Sequence, residues 1–583
     1  MNDVNQLRDA LLSGARAGNF LEAVYASSLA DREERDDLAR ELAAIHNEGL
    51  VDVVAAFEAL SNNTGRGPDF FLTRHVLEKA LPHLNVPVAP VMHCVLRLCR
   101  EAGQDMAAGT IFNGYIEFCA KDAARPREAL RLIEANPDAL ADMLPPTVAA
   151  GSQLDNPYYA AELVRLARHP DIEMRRRAVF SVARLHWPKG MSVPDSVINA
   201  LEQTVAAETD DHILASAIKS AFALLQQDKA LEERSVALID AGVAKGDEYT
   251  LHAASELLWL NTQELPPMLL ELLLTHLKRV KPENVGTLNN IDYGIAHLLK
   301  QRDPEQGLRF LEELLAAHGG KIKLDIIDSA AGEIRQSAAL IGKILTRWFL
   351  KGEQALCEAV HAIAGTHHGD DLRIEIDASE LKPADHVHIV FIARKAIGYF
   401  FMKPVTAASV VVSLMRHAPD DKTLHVLGKL LFDPLLLNYP GRMRDYIQEQ
   451  AERESGKVKD VIDNALASIE QYLQTLRGVP NLPALHLGQS QRESYRRHMS
   501  ESMAESMKAA EKKSIFFNLF ARHTLLYGNK SINYIYAGDG EPRRMEMPLS
   551  SHSVEMDFPR MENIAPYDLN FMLWVFRAER FRP

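Results

Sequence analysis

Apolar residues recur every three or four positions along most of this chain, which is the period of amphipathic helices. Near the start, Leu7, Leu11 and Leu12 form one such stripe, and Leu38 and Leu42 belong to another. Each stripe is short and ends at a cluster of turn-forming residues such as Ser61–Pro68. The pattern therefore predicts many short helices that pack in pairs.

The same set of offsets recurs at three places in the middle of the chain. Counted from Asp171, the apolar positions are Met174, Ala178, Val182 and Leu185; counted from Asp210, they are Ile213, Ala217, Ala221 and Leu224; counted from Asp247, they are Thr250, Ala254 and Leu258, and the pattern then fails at Asn261. Each aspartate is predicted to cap its helix, because its carboxylate can accept from free N–H groups of the first turn. The period of roughly 37 to 39 residues between the aspartates is typical of stacked helical repeats.

The first of these units carries a family likeness. The run Pro170–Ala178, with the sequence PDIEMRRRA, resembles the second-helix signature of HEAT-type repeats, in which a Pro/Asp turn is followed by an apolar residue, an arginine and alanines. The resemblance is clearest over residues 156–315 and implies an α-solenoid. It also implies that Asp171 and Arg175 lock one repeat to the next. Leu214 and Leu251 stand in place of the arginine in the next two units.

We expect a mostly α protein, an irregular HEAT-like α-solenoid with a small C-terminal α+β module. The expected regions are an N-terminal helical region at 1–150 that begins the solenoid, HEAT-like repeats at 151–365, a polar insertion rich in His and Asp at 366–386, further helical repeats at 387–480, a charged helix at 490–513 and the α+β module at 514–583.

Two segments depart from the helical period. Residues Leu372–Asp377 alternate strictly, which predicts a short strand or an extended loop. Near the C-terminus, Ser531–Tyr536, Arg544–Met547 and Ser553–Phe558 predict three strands, the first followed by a glycine hairpin, with a final helix at Tyr567–Phe581.

Composition narrows the class of protein. The formal net charge of −14 argues against a surface that binds nucleic acid throughout, because phosphate binding depends on Lys and Arg. The four cysteines are scattered without a C-x-x-C pair, so neither disulfides nor a zinc knuckle is indicated. No secretory signal or apolar run long enough to span a bilayer is found. We expect a cytoplasmic protein that has no contact with membranes.

One cluster could carry hydrolytic chemistry. Imidazole and carboxylate groups gather between residues 361 and 388, and the candidate metal ligands are His367, His368, Asp370, Asp371, His386 and His388. Their spacing matches no established metal motif, and the alternative interpretation is a polar surface insertion. P-loop, dinucleotide-binding and serine-hydrolase motifs are absent from the sequence. We therefore expect no cofactor.

Two sets of residues are candidates for partner binding. A basic strip could be formed by Arg175, Arg176, Arg184, Lys278 and Arg279, and an apolar row at successive four-residue spacing by Tyr495, Met499, Met503 and Met507. The basic residues are alternatively paired between repeats, and the apolar row is alternatively buried inside the protein.

The expected function is that of a non-enzymatic scaffold or regulatory subunit that binds a protein partner on a concave face. One alternative is a nucleic-acid-binding solenoid of a bacterial defence or repair system. The other is a metal-dependent hydrolase that uses the 361–388 cluster.

Overall fold

The structure is a computed structural model that describes residues 2–29, 32–62, 68–105, 107–322, 324, 326–365, 371–479, 488–513, 520–526, 530–535, 543–548 and 559–581. The chain divides into two compact units, Met1–Gly294 and Ile295–Pro583. In the part of the chain that is described, no helix is both long and apolar enough to cross a bilayer.

The first unit consists of helices joined by short turns. They are α1 (Asn2–Ala17), α2 (Phe20–Ser28), α3 (Arg32–Asn47), α4 (Val53–Glu58), α5 (Phe70–Ala80), α6 (Val88–Glu101), α7 (Ile111–Ala120), α8 (Ala124–Ala135), α9 (Pro137–Leu140), α10 (Leu144–Leu166), α11 (Ile172–Ser181), α12 (Asp195–Ala207), α13 (Asp211–Gln227), α14 (Glu232–Lys245), α15 (Glu248–Asn261), α16 (Pro267–Leu277) and α17 (Val285–His297), in which the unit boundary falls. Short 3-10 turns lie at Leu81–His83, Ala108–Thr110, Ala141–Met143, Val182–Arg184 and Lys229–Leu231.

These helices pack in two parallel rows. In the first row α3, α5, α7, α10, α11, α13 and α15 each contact the next, and in the second row α4, α6, α8, α10, α12, α14 and α16 do the same. Helix α10 belongs to both rows because it bends at Asp155 (φ −150°, ψ 74°), two residues before Pro157. Thr147, before the bend, bonds Tyr115 of α7, and Arg165, after it, bonds Glu134 of α8. Two rows of stacked helices define an α-solenoid.

The second unit continues with helical pairs. Its helices are α18 (Pro304–Ala317), α19 (Asp328–Gln336), α20 (Ala338–Lys351), α21 (Gln354–Ala364), α22 (His386–Phe400), α23 (Pro404–Met415), α24 (Asp421–Leu430), α25 (Arg442–Arg453), α26 (Gly456–Gly478), α27 (Gln489–Lys513), α28 (Arg560–Ile564) and α29 (Pro566–Ala578), with π-helical turns at Leu298–Arg302 and Leu431–Leu436. Helices α20, α22, α24 and α26 stack in one row, and α23 stacks on α25 beside them.

Three strands form an antiparallel sheet in the order β1 (Phe520–Leu526), β2 (Lys530–Ile535) and β3 (Arg543–Pro548). Thr524 pairs with Ile532 across the first pair of strands, and Ile532 pairs with Glu546 across the second. The strand predicted at Ser553–Phe558 and the glycine hairpin lie outside the described residues. The expectation of one compact α+β module at 514–583 is not supported, because the terminal helix α29 packs on α22 of the helical stack.

The alternating segment before α22 is an extended loop. The backbone N–H groups of Ile374 and Ile376 donate to the hydroxyls of Ser409 and Ser413, one turn apart on α23, at 2.9 Å each. Ile374 and Ile376 are both buried. The loop therefore obtains from serine side chains the hydrogen bonds that a strand obtains from its neighbour.

The predicted caps are right for two of the three repeats. Asp171 Oδ1 accepts from Met174 N at 2.8 Å, and Asp210 Oδ1 accepts from Ile213 N at 3.0 Å. Burial alone would raise the pKa of Asp210, but hydrogen bonds from Arg176 and from the Ile213 backbone outweigh it and lower that pKa.

The third predicted cap is wrong. The Asp247 side chain makes no capping bond; its own N–H donates instead to Asp211 Oδ1 at 2.7 Å, and the N–H of Tyr249 donates to Asp211 Oδ2 at 2.7 Å. Asp211 Oδ1 also accepts from the Thr250 hydroxyl at 2.5 Å. A carboxylate of one repeat therefore caps the helix of the next.

Replacing Asp211 by alanine is expected to lower the free energy of unfolding by about 2 kcal/mol, because it leaves donors at the start of α15 without acceptors. The matched control is Asp247→Ala, which removes an aspartate from the same helix end and should cost less than about 0.5 kcal/mol. Urea denaturation followed by circular dichroism measures both. Equal losses from the two substitutions would contradict the assignment of the cap to Asp211.

Candidate partner-binding site

A cavity of about 480 Å³ opens on the first row of helices in the first unit. It lies where the end of α6, the start of α7, the start of α10 and the end of α11 meet. We call it the arginine cavity, and its lining residues are Leu96, Cys99, Arg100, Gly109, Phe112, Asn113, Ile116, Asp142, Pro145, Pro146, Ala149, Arg177, Phe180 and Arg184. Its volume is in the range of small-ligand and side-chain pockets.

The wall of the arginine cavity is apolar for a local reason. Pro145 and Pro146 are the second and third residues of α10, where the backbone N–H has no helical partner and proline is tolerated. Both prolines and Leu96 are buried, whereas Ile116 and Phe112 are half-buried. An apolar group that entered the cavity would be removed from water on several sides.

The charged residues of the cavity are three arginines and one aspartate. Arg177 pairs with Asp142 at 2.5 Å, and its Nε is buried without a hydrogen-bond acceptor. Arg184 lies over the ring of Phe180, with 5.3 Å between its Cζ and the ring centroid. Arg100 is exposed and donates to Ala139 O over a long distance of 3.5 Å. The cavity thus carries a formal excess of positive charge in a chain whose net charge is −14.

The arginine cavity also contains a cysteine that a reagent can label. Cys99 is partly accessible, whereas Cys94, Cys119 and Cys357 are buried. Burial raises the pKa of the Cys99 thiol, so it is neutral near pH 7 and is a poor nucleophile there. Because Cys99 is partly accessible, its labelling can report whether the arginine cavity is occupied.

A second cavity of about 560 Å³ lies beside the arginine cavity, and Asn113 lines both. It is formed by α5 and α7, and Arg74 and Glu78 form an ion pair in its wall at 3.1 Å. Arg74 is 1% exposed and donates to Ala107 O at 2.5 Å and to Thr110 Oγ1 at 2.8 Å. The two cavities follow the first row across α5, α7, α10 and α11, and we call them together the first-row groove.

The predicted basic strip is divided by the structure. Arg175 pairs with Glu208 at 2.8 Å and Arg176 with Asp210 at 2.9 Å, so both link α11 to the segment that begins the next repeat. Arg279 donates to the backbone carbonyls of Val243 and His276. Lys278 is half-buried at the end of α16, and Arg184 alone among the five lines the arginine cavity.

The apolar row of α27 is exposed along its methionines. Met499 is 41% exposed, Met503 65% and Met507 61%. Tyr495 is half-buried, and its hydroxyl is buried without a partner. These four residues therefore stay candidates for docking.

The candidate metal ligands that are described serve other contacts. Asp371 accepts from Val405 N at 3.1 Å at the start of α23, and His386 Nδ1 bonds the Thr423 hydroxyl at 3.0 Å. His388 bonds Asp385 at 2.8 Å and stacks on Phe581, with 4.2 Å between ring centroids. His367, His368 and Asp370 lie outside the described residues. Within the described ranges no three His, Cys, Asp or Glu side chains are grouped to hold a metal ion.

Sequence reasoning missed several residues of the arginine cavity: Arg100, Phe112, Asp142, Arg177 and Phe180. Arg177 belongs to the same run as Arg175 and Arg176, which was the available signal. Consecutive residues of a helix point about 100° apart, so one arginine lines a cavity while its neighbours pair between repeats. Arg100 has no comparable signal, because only the packing of α6 against the first row brings it there.

The rows of stacked helices within each unit are those of an α-solenoid. No protein-family model matches the sequence, and no curated protein matches it.

Among solved structures, the chain is similar to a chain of the Pds5–Scc1 complex at 11% identity and a TM-score of 0.26, over 88% of this chain and 88% of that one. It is similar to a chain of the Kap95p–RanGDP structure at 11% identity and a TM-score of 0.24, over 80% and 76%. A third similarity, from a study of β-catenin and cadherin, has 16% identity and a TM-score of 0.20, over 79% and 97%. TM-scores this low carry no argument, so the fold assignment rests on the chain's own helix contacts.

Proposed function

We propose that this protein is a non-enzymatic scaffold or regulatory subunit that binds a protein partner in the first-row groove. The observation that carries the proposal is the groove itself: two adjoining cavities on one row of a helical stack, one of them with an apolar wall and an arginine rim. An apolar wall gives affinity by burial, and charged groups at the rim select the partner and its orientation.

The groove suits a protein better than a nucleic acid. Non-specific nucleic-acid binding needs a continuous positive track with aromatic platforms for the bases. Arg175, Arg176 and Arg279 are instead used in contacts between repeats. Three arginines around an apolar pocket fit a short, locally charged segment of a protein.

Filling the groove is expected to weaken partner binding about tenfold. Asn113 is exposed and lines both cavities, so Asn113→Trp places a large ring between them with little effect on the fold. The matched control is Lys121→Trp, because Lys121 is exposed at the end of the same helix and lines neither cavity. The wild-type protein and both variants are used for affinity capture from the native cell extract, with quantitative mass spectrometry.

The expected result is a protein that the wild-type chain and Lys121→Trp retain equally and that Asn113→Trp retains about tenfold less. The same order must hold when that protein is purified and titrated calorimetrically. Equal retention by Asn113→Trp, or no protein retained above a blank resin, would overturn the proposal.

A further inference from the structure

The apolar wall and the arginine rim of the arginine cavity together specify a ligand. The wall offers Leu96, Ile116, Pro145 and Pro146, which suit an aliphatic or aromatic side chain. Burying one such side chain favours binding because apolar surface is removed from water. Charged contacts at the rim would add to that contribution.

The arginines at the rim have more N–H donors than the single aspartate beside them can accept. Arg100, Arg177 and Arg184 face one acid, Asp142, and only Arg177 is paired with it. The Nε of Arg177 is buried with no acceptor, so the exposed Arg100 and Arg184 supply the donors that a bound group can reach. Guanidinium groups bind carboxylates through parallel hydrogen bonds, so carboxylates are the groups that complete this rim.

The geometry points to a specific partner: we propose that the arginine cavity binds an extended protein segment in which a bulky apolar side chain is flanked by Asp or Glu residues. The apolar side chain enters between α7 and α10, and the flanking carboxylates bind Arg100 and Arg184 at the rim. Arg184 lies over the ring of Phe180 and is exposed, so its guanidinium is accessible to a carboxylate. This inference rests on the proposed function and names the chemistry of the partner.

Phosphate groups also bind arginine, so an oligonucleotide is the competing occupant. The observations favour the peptide because the wall includes aliphatic side chains and two prolines, which suit a bulky apolar side chain. Peptide and oligonucleotide are therefore compared directly in the test.

The test uses the full chain and four fluorescein-labelled probes. The first is a peptide with the core Asp-Glu-Leu-Phe-Asp-Glu, the second has Asn and Gln in place of the acids, the third has Ser-Ser in place of Leu-Phe, and the fourth is a single-stranded oligonucleotide. Binding is followed by fluorescence anisotropy. Occupancy of the arginine cavity is measured separately as protection of Cys99 from a maleimide in mildly alkaline buffer, in which the thiol begins to ionise.

The protein variants are the double substitution Arg100→Glu with Arg184→Glu and the control Arg131→Glu. Arg100, Arg184 and Arg131 are all exposed, so charge reversal should not unfold the chain, and Arg131 on α8 does not line the cavity. Far-ultraviolet circular dichroism and the unfolding midpoint verify that each variant is folded.

We expect the first peptide to bind wild type and Arg131→Glu equally, and to bind the double variant about tenfold more weakly. The neutral and serine peptides should each bind wild type about tenfold more weakly. Saturation with the first peptide should slow the alkylation of Cys99 severalfold, whereas the serine peptide should not.

Equal affinity for the neutral peptide, equal binding by the double variant, or unchanged alkylation of Cys99 would overturn the inference. Protection of Cys99 by the oligonucleotide but not by the first peptide would replace it with a nucleic-acid site. These failures leave the proposed function intact if Asn113→Trp still loses the captured partner. If Asn113→Trp keeps that partner while the peptide results hold, the proposed function fails at the groove and the peptide site stands by itself.

Discussion

Gly114→Val is expected to destabilise the first unit by about 3 kcal/mol or more, because it forces two helices of the first row apart. A Cβ at Gly114 would lie 2.4 Å from the carbonyl oxygen of Glu78 and 3.0 Å from its Cα, and both atoms belong to the backbone of α5. A side chain can turn away from such a clash, but the backbone of a packed helix cannot. The free energy of unfolding from urea denaturation measures the loss.

Gly286→Val is the matched control, since Gly286 is exposed near the start of α17 and a Cβ there would only meet His252 Cε1 at 3.9 Å, an ordinary contact. This control should change the free energy of unfolding by less than about 0.5 kcal/mol. Hydrogen exchange should place the damage of Gly114→Val in α5 and α7. A variant as stable as wild type would show that the two helices are not in the close contact described here.

Local features of the helices could be predicted from the sequence, because they depend on residues a few positions apart. The caps at Asp171 and Asp210 and the burial of Met174, Ala178 and Ile213 follow from the helical period. The cap of α15 could not be predicted, because its carboxylate belongs to Asp211 of the preceding repeat. N–H groups at the start of a helix can donate to any carboxylate within reach, and only the packing decides which carboxylate that is.

The candidate site was predictable only in part for the same reason. The run Arg175–Arg177 is visible in the sequence, but the pairing of Arg175 with Glu208 and of Arg176 with Asp210 appears only in the stacked repeats. Those ion pairs occupy two arginines, while Arg177 lines a cavity with Arg100 from α6. Charge counted along the sequence therefore overestimates the positive charge available to a ligand.

The polar insertion shows, by contrast, that residues near one another in the sequence need not form one site in the fold. Asp371, His386 and His388 are close together in the sequence and chemically able to bind a metal ion. In the fold, Asp371 accepts from the first turn of α23, while His386 bonds a threonine hydroxyl and His388 an aspartate. Carboxylates and imidazoles form ordinary hydrogen bonds as well as metal bonds, so composition alone does not separate the two roles.

The terminal helix contributes the second large expected effect, at the contact between α29 and α22. Lys395 of α22 is 1% exposed, and its ammonium group donates to Arg577 O at 2.5 Å. Burial lowers the pKa of Lys395. Arg577 Nε donates in return to Gly398 O at 2.6 Å. A buried charge with so few partners depends on α29 staying in place.

Gly398→Leu is expected to displace α29 from α22. A Cβ at Gly398 would already lie 3.1 Å from Phe576 Cβ and 3.2 Å from Arg577 N, so the rest of a leucine side chain has no room. Displacement exposes Lys395 to water and to reagents, while its pKa rises towards the ordinary value and a smaller fraction of the amine is unprotonated. Mass spectrometry after brief acylation should show Lys395 modified about tenfold faster than in wild type, because the gain in access to the reagent outweighs the smaller unprotonated fraction.

The matched control for this change is Gly332→Leu, because a Cβ at Gly332 of α19 has no neighbour within 4 Å. Trypsin should also cleave after Arg577 faster in Gly398→Leu than in the control, since a docked helix resists cleavage until it opens. If Lys395 and Arg577 stay as protected in Gly398→Leu as in Gly332→Leu, then α29 does not depend on the close approach at Gly398. The hydrogen bonds of Lys395 and Arg577 would then have to hold the helix by themselves. That is unfavourable, because the ammonium group of Lys395 is a buried charge with few partners.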